Sequence, residues 1–258
     1  MIEANKLNYI AKERFIINDI DFACNEGEFI VVLGPNGAGK STFLSILADE
    51  IHQKGNKISL KSCEYPKWCK KTLPKHKAKF SQHHNADIPL QVEDVVMMGR
   101  YPYFDTIPSD LDKKVIQESM ACIDICPLQN RTYNQLSGGE KQRVHLARVL
   151  AQLNNEIDNK VLFLDEPLNN LDILHQHKIL TLIKEFTTAK NTAIVVLHDL
   201  NLAAQYADKI LLLEKGKKVI YDTPTKVLTQ EILTKVYNFP CTVTTNPINN
   251  NPLIIFGQ

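Results

Sequence analysis

Residues 34–41, which read Gly-Pro-Asn-Gly-Ala-Gly-Lys-Ser, constrain the fold of this chain more than any other segment. They fill every fixed position of the pattern G-x-x-x-x-G-K-[ST]. An apolar, β-branched run, Phe29–Leu33, precedes them, and a helical pattern follows from about Lys40 to Asp49. A strand, a glycine-rich turn and a helix in this order predict a phosphate-binding loop in an α/β domain with a mainly parallel sheet.

The residue types of this loop suit a nucleoside triphosphate bound with Mg²⁺. The glycines let backbone N–H groups turn toward phosphate oxygens, and the helix N-terminus adds its dipole to the anion site. Lys40 can reach the β- and γ-phosphates, and the Ser41 hydroxyl can bind Mg²⁺. The residues predicted to contact the nucleotide are Gly34, Pro35, Asn36, Gly37, Ala38, Gly39, Lys40, Ser41 and Thr42.

A second buried-strand candidate, Val161–Leu164, ends in two adjacent acids, Asp165 and Glu166. Ligands of open α/β sheets lie beyond the carboxyl ends of the strands, so Asp165 would emerge beside the nucleotide and orient Mg²⁺. Glu166 would polarise the attacking water as general base. The alternative is a pair of loop acids that cap a helix, and the phosphate loop upstream argues against it.

A third segment begins at Leu136 and reads Leu-Ser-Gly-Gly-Glu-Lys-Gln-Arg. Locally, Ser137 and Glu140 form the pattern of a capping box at the start of a helix. A glycine-rich helix start also offers free N–H groups to an anion. Local physical chemistry predicts no more than this.

In this order along the chain, the three segments together resemble the motifs of the ABC ATPase family. The resemblance covers nearly the whole chain. It implies ATP hydrolysis by a head-to-tail dimer of this subunit, with ATP and Mg²⁺ as the bound ligands. It also implies that a signature motif contacts the ATP held by the partner subunit. The residues of that motif are Ser137, Gly138, Gly139 and Glu140.

The remaining family motifs follow in the same order. By resemblance, Gln82 senses the γ-phosphate, binds Mg²⁺ and links to the membrane subunit. Asp172 ends the D-loop, and His198, after the strand Ile194–Leu197, holds the γ-phosphate and the attacking water. The D-loop reads Leu-Asn-Asn-Leu-Asp where the family more often has Thr-Ser-Ala-Leu-Asp, which bears on coupling between subunits. Tyr9 is a candidate for stacking on adenine or, equally, a core strand residue.

The resemblance implies a single domain over residues 1–258. It would contain a phosphate-loop NTPase core, about 1–87 and 154–258, with an antiparallel β part at the N-terminal end. Residues 88–153 lack strand patterns, and helix-like spacing runs through Leu111–Ile123 and Glu140–Leu153. We therefore expect these residues to form a helical subdomain.

Charge indicates no particular partner, and hydropathy argues against direct insertion into a membrane. The chain has 30 basic and 29 acidic residues, which gives no general attraction to nucleic acid. No apolar run approaches the ~18 to 20 residues that cross a bilayer, and we expect no signal peptide. Direct membrane insertion is thus not expected. The resemblance instead implies a peripheral subunit on the cytoplasmic face of the inner membrane. Its partners would be two transmembrane permease subunits and, indirectly, an extracytoplasmic substrate-binding protein.

Three segments resemble importers of haem, ferric siderophores and cobalamin in particular. They are Glu93–Tyr103, Leu197–Asp208 and the polar insert Asn154–Lys160. The length of the insert resembles the hemin importers, so hemin is the expected substrate. A siderophore or cobalamin importer is the alternative, and a soluble ABC ATPase of iron–sulfur cluster assembly is an alternative of a different class.

Two further patterns carry weaker signals. Residues Lys61–Lys79 contain seven lysines and one acid. They predict a solvated face beside a sheet edge, with a membrane or partner patch as the alternative. Cys122 with Cys126, and the pairs His83-His84 and His175-x-His177, lack a complete set of metal ligands.

Overall fold

The computed structural model describes residues 1–81 and 89–257 of the chain. Its strands are β1 (Ile2–Ala11), β2 (Arg14–Cys24), β3 (Phe29–Leu33), β4 (Lys57–Leu60), β5 (Cys63–Glu64), β6 (Lys77–Phe80), β7 (Val161–Asp165), β8 (Thr192–Val196), β9 (Lys209–Glu214), β10 (Lys217–Asp222), β11 (Cys241–Thr245) and β12 (Pro252–Phe256). Its α-helices are α1 (Lys40–Leu47), α2 (Leu73–His76), α3 (Val92–Met97), α4 (Asp110–Cys122), α5 (Gly138–Leu153), α6 (Ile173–Thr188), α7 (Leu200–Tyr206), α8 (Pro224–Val227) and α9 (Gln230–Tyr237). Short 3-10 helices span Tyr65–Lys67, Met98–Tyr103, Cys126–Leu128 and Tyr133–Gln135.

Six of the described strands form one sheet in the order β10-β9-β3-β8-β7-β6. The strands run parallel except for β10, which is antiparallel to β9. Every residue of β3, β7 and β8 is buried, as expected for strands covered on both faces. The predicted mainly parallel sheet is therefore confirmed.

Alternate side chains of β3 enter two separate apolar cores, because successive residues of a strand point to opposite faces. Phe29, Val31 and Leu33 join the core that contains buried residues of α5 and α6. Ile30 and Val32 join the core that contains α1 and a second sheet, whose order is β2-β1-β4-β5. This second sheet is antiparallel throughout, which confirms the expected N-terminal part.

Tyr9 lies on β1 and packs, partly buried, against the core formed with α1. This position supports the interpretation of Tyr9 as a core strand residue. The role in stacking on adenine stays a prediction.

Between β6 and β7, the described residues 89–160 form helices, with one isolated bridge between Gln91 and Thr132. The two helices expected here are present as α4 and α5, and α5 begins two residues before the expected start. Helix α1, in contrast, ends two residues early at Leu47, and Asp49 adopts a left-handed backbone with φ 59°. The division into a core and a helical subdomain stays a prediction.

No helix within residues 1–81 or 89–257 combines the length and the hydropathy that a membrane span needs.

A buried ion pair connects the helices of this stretch. Arg100 Nε donates to Asp112 Oδ1 at 2.9 Å, and the two side chains are 3% and 5% exposed. Arg100 Nη1 also donates to the carbonyl oxygens of Ala151 and Asn154, both at 2.8 Å. The guanidinium therefore ties the start of α4 to the end of α5.

We expect Asp112→Ala to lower the free energy of unfolding by about 3 to 5 kcal/mol, because it leaves a buried guanidinium without its carboxylate. Part of the loss comes from the cap of α4, where the Asp112 carboxylate also accepts from the N–H and the hydroxyl of Ser109. Urea unfolding checks the value. The matched control is Asp110→Ala in the same helix turn, whose pair with Lys113 is exposed and should contribute little. Equal destabilisation by both variants would contradict the stabilising role of the buried pair of Arg100 and Asp112.

The lysine-rich segment ends in β6, which is an edge strand of the large sheet, as expected. The expectation of a solvated face is wrong for Lys79, whose side chain is 8% exposed. Its ammonium donates to Ser45 Oγ at 2.7 Å and pairs with Glu50. The Lys77 ammonium likewise lies 4.7 Å from the centroid of the Tyr65 ring. These two lysines pack against the body of the protein, whereas Lys67 and Lys71 are exposed.

The C-terminal hairpin of β11 and β12 is attached to α7. Asn201 Nδ2 donates to the carbonyl oxygen of Ile254 at 3.1 Å, and Asn201 Oδ1 accepts from the Ile254 N–H at 2.8 Å. Ile254 is itself buried in the core shared with α5 and α6. The hairpin thus supports the helix that begins two residues after His198.

Candidate active site

The predicted phosphate-binding loop joins the carboxyl end of β3 to the start of α1. Gly39 is the N-cap of α1, with φ 95°. A Cβ at Gly39 would lie 2.7 Å from the carbonyl oxygen of Ile16 and 2.9 Å from Ile17 Cδ1. Both the backbone conformation and the close approach of β2 therefore require glycine here.

The Lys40 side chain folds back into the loop. Its Nζ donates to the carbonyl oxygens of Gly34 at 2.8 Å and Pro35 at 3.1 Å, and the residue is 6% exposed. Burial lowers the pKa of the ammonium, and the carboxylates of Glu166 and Asp165 oppose this shift. The loop thus holds a cation at the helix N-terminus, where an anionic ligand is stabilised.

Ser41, in the first turn of α1, meets Asp165, the last residue of β7. Ser41 Oγ donates to Asp165 Oδ1 at 2.9 Å, and Asp165 is 8% exposed. Burial raises the pKa of Asp165, and the hydrogen bond from Ser41 partly opposes the increase. A hydroxyl and a carboxylate side by side are the oxygen donors that Mg²⁺ prefers, so the residues present fit that ion.

Glu166 directly follows Asp165 and has a left-handed backbone, with φ 52°. Its Oε1 lies 2.7 Å from His198 Nε2, and its Oε2 accepts from Asn169 Nδ2 at 2.7 Å. Burial acts to raise the pKa of the carboxyl, but the hydrogen bonds from His198 and Asn169 outweigh burial and hold the pKa below its ordinary value. The structure therefore brings Glu166 and His198 together, and it adds Asn169, whose contact the sequence did not indicate.

The signature segment forms the expected capping box at the start of α5. Glu140 Oε2 accepts from the Ser137 N–H at 2.7 Å, and Ser137 Oγ accepts from the Glu140 N–H at 3.3 Å. Ser137 and Gly138 are exposed. A Cβ at Gly139 would lie 2.7 Å from the carbonyl oxygen of Asn170, so glycine lets the D-loop approach this helix start closely.

Of the remaining motif residues, Asp172 lies within the described part of the chain and Gln82 does not. Asp172 is the N-cap of α6 and accepts from the His175 N–H at 2.9 Å. Gln82 lies outside the described residues, as do His83 and His84.

Of the candidate metal-ligand pair His175-x-His177, His177 contacts another side chain, with its Nδ1 2.8 Å from the Tyr206 hydroxyl. Among residues 1–81 and 89–257, no group of three or more His, Cys, Asp or Glu side chains is arranged to hold a metal ion.

Comparison with known proteins shows the family to which this chain belongs. The family model described as ABC transporter matches residues 17–169. The hemin import ATP-binding protein of Photobacterium profundum is 39% identical over 254 residues, which cover 98% of this chain and 91% of that protein. The hemin import ATP-binding protein of Escherichia coli O157:H7 is 39% identical over 260 residues, which cover 100% of both chains.

Two solved structures resemble all or most of this chain in fold. An inward-facing conformation of a putative metal-chelate type ABC transporter superimposes with a TM-score of 0.81 at 25% identity, covering 99% of this chain and 96% of that chain. The dimeric structure of a post-hydrolysis state of an ATP-binding cassette, bound to ADP and Pi, has a TM-score of 0.76 at 25% identity. That match covers 87% of this chain and 99% of the other.

Proposed function

Because this chain belongs to the ABC transporter family and is an ABC-type ATPase, we propose that it hydrolyses ATP to drive the import of hemin. The observation that carries the ATPase part is the meeting of three pairs at the carboxyl ends of β3, β7 and β8. These pairs are Lys40 with its loop carbonyls, Ser41 with Asp165, and Glu166 with His198. These contacts support the proposal that a phosphate site, a magnesium site and a general base share the carboxyl end of the sheet.

Each residue has a distinct role in this proposal. The loop from Gly34 to Thr42 binds the phosphates through its N–H groups and Lys40. Ser41, Asp165 and Gln82 hold Mg²⁺, which when bound neutralises charge on the phosphate oxygens. Glu166 takes the proton of the attacking water. His198 contacts the γ-phosphate.

The active unit in this proposal is a dimer of the chain. Ser137, Gly138, Gly139 and Glu140 of one copy contact the γ-phosphate of the ATP bound by the other copy, and Asp172 lies at the interface. The hydrogen bonds of Ser137 remain within its own helix start, which leaves its exposed side free for a second copy. The similar cassette solved as a dimer with ADP and Pi supports this arrangement.

The transport role rests on the relatives. Two relatives whose names state hemin import share 39% of residues over more than nine-tenths of both lengths. As the energy-coupling subunit of such a translocase, the chain binds two transmembrane permease subunits. It is peripheral, on the cytoplasmic face of the inner membrane, and is linked only indirectly to an extracytoplasmic substrate-binding protein. Iron enters the cell as part of the hemin.

Uptake measurements in cells whose native gene carries Glu166→Gln test the transported substrate. We expect hemin uptake to be lost, while uptake of ferric siderophores and of cobalamin continues. Loss of siderophore or cobalamin uptake alone would assign this ATPase subunit to the importer of that substrate. Unchanged uptake of all three with a fall in iron–sulfur enzyme activity would instead support the soluble ABC ATPase class.

Lys40→Ala tests the phosphate site. The variant removes the charge that the loop holds beside the phosphates, so we expect ATP affinity to fall at least about tenfold, with the fold retained. Isothermal titration with ATP and Mg²⁺ measures the affinity, and circular dichroism checks the fold. Lys67→Ala, at an exposed lysine paired with Glu64, is the control. Normal ATP affinity in Lys40→Ala would remove the assignment of the loop.

A further inference from the structure

Both carboxylate oxygens of Glu166 are engaged within the chain. Oε1 faces His198 and Oε2 accepts from Asn169, each at 2.7 Å. The two partners differ in character. The His198 side chain is 45% exposed, whereas Asn169 is half-buried in the loop between β7 and α6. The Asn169 contact is therefore the more sheltered of the two.

The loop that carries Asn169 is fixed independently of Glu166. Leu168 is 8% exposed and belongs to the core shared with α5 and α6. The Leu171 N–H donates to the carbonyl oxygen of Leu168 at 3.3 Å. Gln176 Nε2, from α6, donates to the carbonyl oxygen of Leu171 at 3.0 Å. The position of the Asn169 amide is thus set by a turn anchored at both ends.

The Glu166 side chain needs an anchor if its carboxylate is to keep one orientation. Its side chain rotates about three bonds, and fixing a long side chain costs conformational entropy. Its backbone carbonyl accepts only at the longer distance of 3.3 Å, from Gln142 Nε2. An amide that holds Oε2 restricts the orientation of the whole carboxylate plane, and therefore the direction in which Oε1 points.

We propose that Asn169 is a positioning residue for the general base, holding Glu166 Oε2 so that Oε1, on the side of His198, is aimed at the attacking water. This inference rests on the proposed function, because it takes Glu166 as that base. In the hydrolytic step the water oxygen bonds to the γ-phosphorus and the bond to the ADP oxygen breaks. The water proton passes to Oε1. Asn169 exchanges no proton, and its N–H remains on Oε2 throughout.

Three substitutions separate positioning from general structure. Asn169→Leu keeps the size of the side chain and removes the donor. Asn169→Asp places a carboxylate against the carboxylate of Glu166, and Asn169→Gln keeps an amide. We expect kcat for ATP hydrolysis to fall roughly tenfold to a hundredfold in the Leu variant, because displacement of a reacting group by about 1 Å has that cost. The fall should be larger in the Asp variant, and the Gln variant should recover part of the loss.

The split between kcat and KM decides the interpretation. Asn169 contributes nothing to the phosphate loop, so KM and the ATP dissociation constant should stay within about twofold in all three variants. The matched control is Asn25→Leu. Asn25 Nδ2 also donates to a glutamate three residues away, Glu28, at 3.0 Å, on an exposed turn. Its removal should leave kcat unchanged.

Glu166→Gln, assayed in parallel, distinguishes failure of the positioning role of Asn169 from failure of the assignment of Glu166 as the base. Wild-type kcat in Asn169→Leu, beside an inactive Glu166→Gln, would overturn the positioning role alone. Near wild-type hydrolysis in Glu166→Gln would overturn the base assignment on which the inference rests. If Asn169→Leu fails to fold, the Asp and Gln variants still decide, and equal kcat in these two would overturn the role.

Discussion

Replacing Glu166 with Gln is expected to lower kcat for ATP hydrolysis roughly 10²- to 10⁴-fold, the usual cost of losing a positioned general base. The amide is nearly the same size as the carboxylate and cannot accept the water proton. ATP binding should remain, because the phosphate loop and the pair formed by Ser41 and Asp165 are untouched. The variant should therefore accumulate with ATP bound, as measured by single-turnover hydrolysis and nucleotide retention.

The control for this change is Glu64→Gln, at a glutamate paired with Lys67 on the surface. It should hydrolyse ATP at the wild-type rate. Hydrolysis by Glu166→Gln at a rate near that of the wild type would assign the base role to another residue. His198, which lies 2.7 Å from Glu166, would be the first to test.

The second large effect is expected for Ser137→Arg. The Ser137 side chain is exposed at the start of α5, and an arginine there would occupy the space of a γ-phosphate presented by a second copy. Hydrolysis should be lost while each copy still binds ATP in its own loop. Steady-state ATPase assays and ATP titration measure the two properties separately.

Mixing Ser137→Arg with Lys40→Ala sharpens this prediction. In a mixed dimer, one composite site carries both lesions and the other site carries neither. Some ATPase activity should therefore return on mixing, provided that one intact site can turn over alone. If the mixture stays inactive although mixed dimers are shown to form, both sites must work together.

The sequence predicted the parts of the site that depend on neighbours along the chain. The strand, loop and helix around Gly34 to Ser41 are contiguous, so their residue types determine the local structure directly. The capping box of Ser137 and Glu140 joins residues three apart, and both of its hydrogen bonds are present. The mainly parallel sheet also followed, because continuous apolar runs are typical of strands buried on both faces.

Contacts set by the path of a loop or by distant packing were not predicted. The Asn169 contact with Glu166 depends on a turn held by Leu168 and by Gln176 on α6. The hydrogen bonds between Asn201 and Ile254 join residues 53 positions apart. Lys79, which composition places at a solvated surface, is instead drawn toward Ser45 on α1 and Glu50 just after it.

The central claim is that each ATP site is formed by two copies of the chain. Its most direct test is the mass of the protein in solution with ATP, measured by light scattering. In Glu166→Gln, ATP is consumed only slowly, so two copies should remain joined through two ATP molecules and the mass should double on adding ATP. In the double variant Glu166→Gln with Ser137→Arg, each copy should bind ATP and stay a monomer. Dimer formation to the same extent in the double variant would contradict the account and leave Ser137 with only its role as a helix cap.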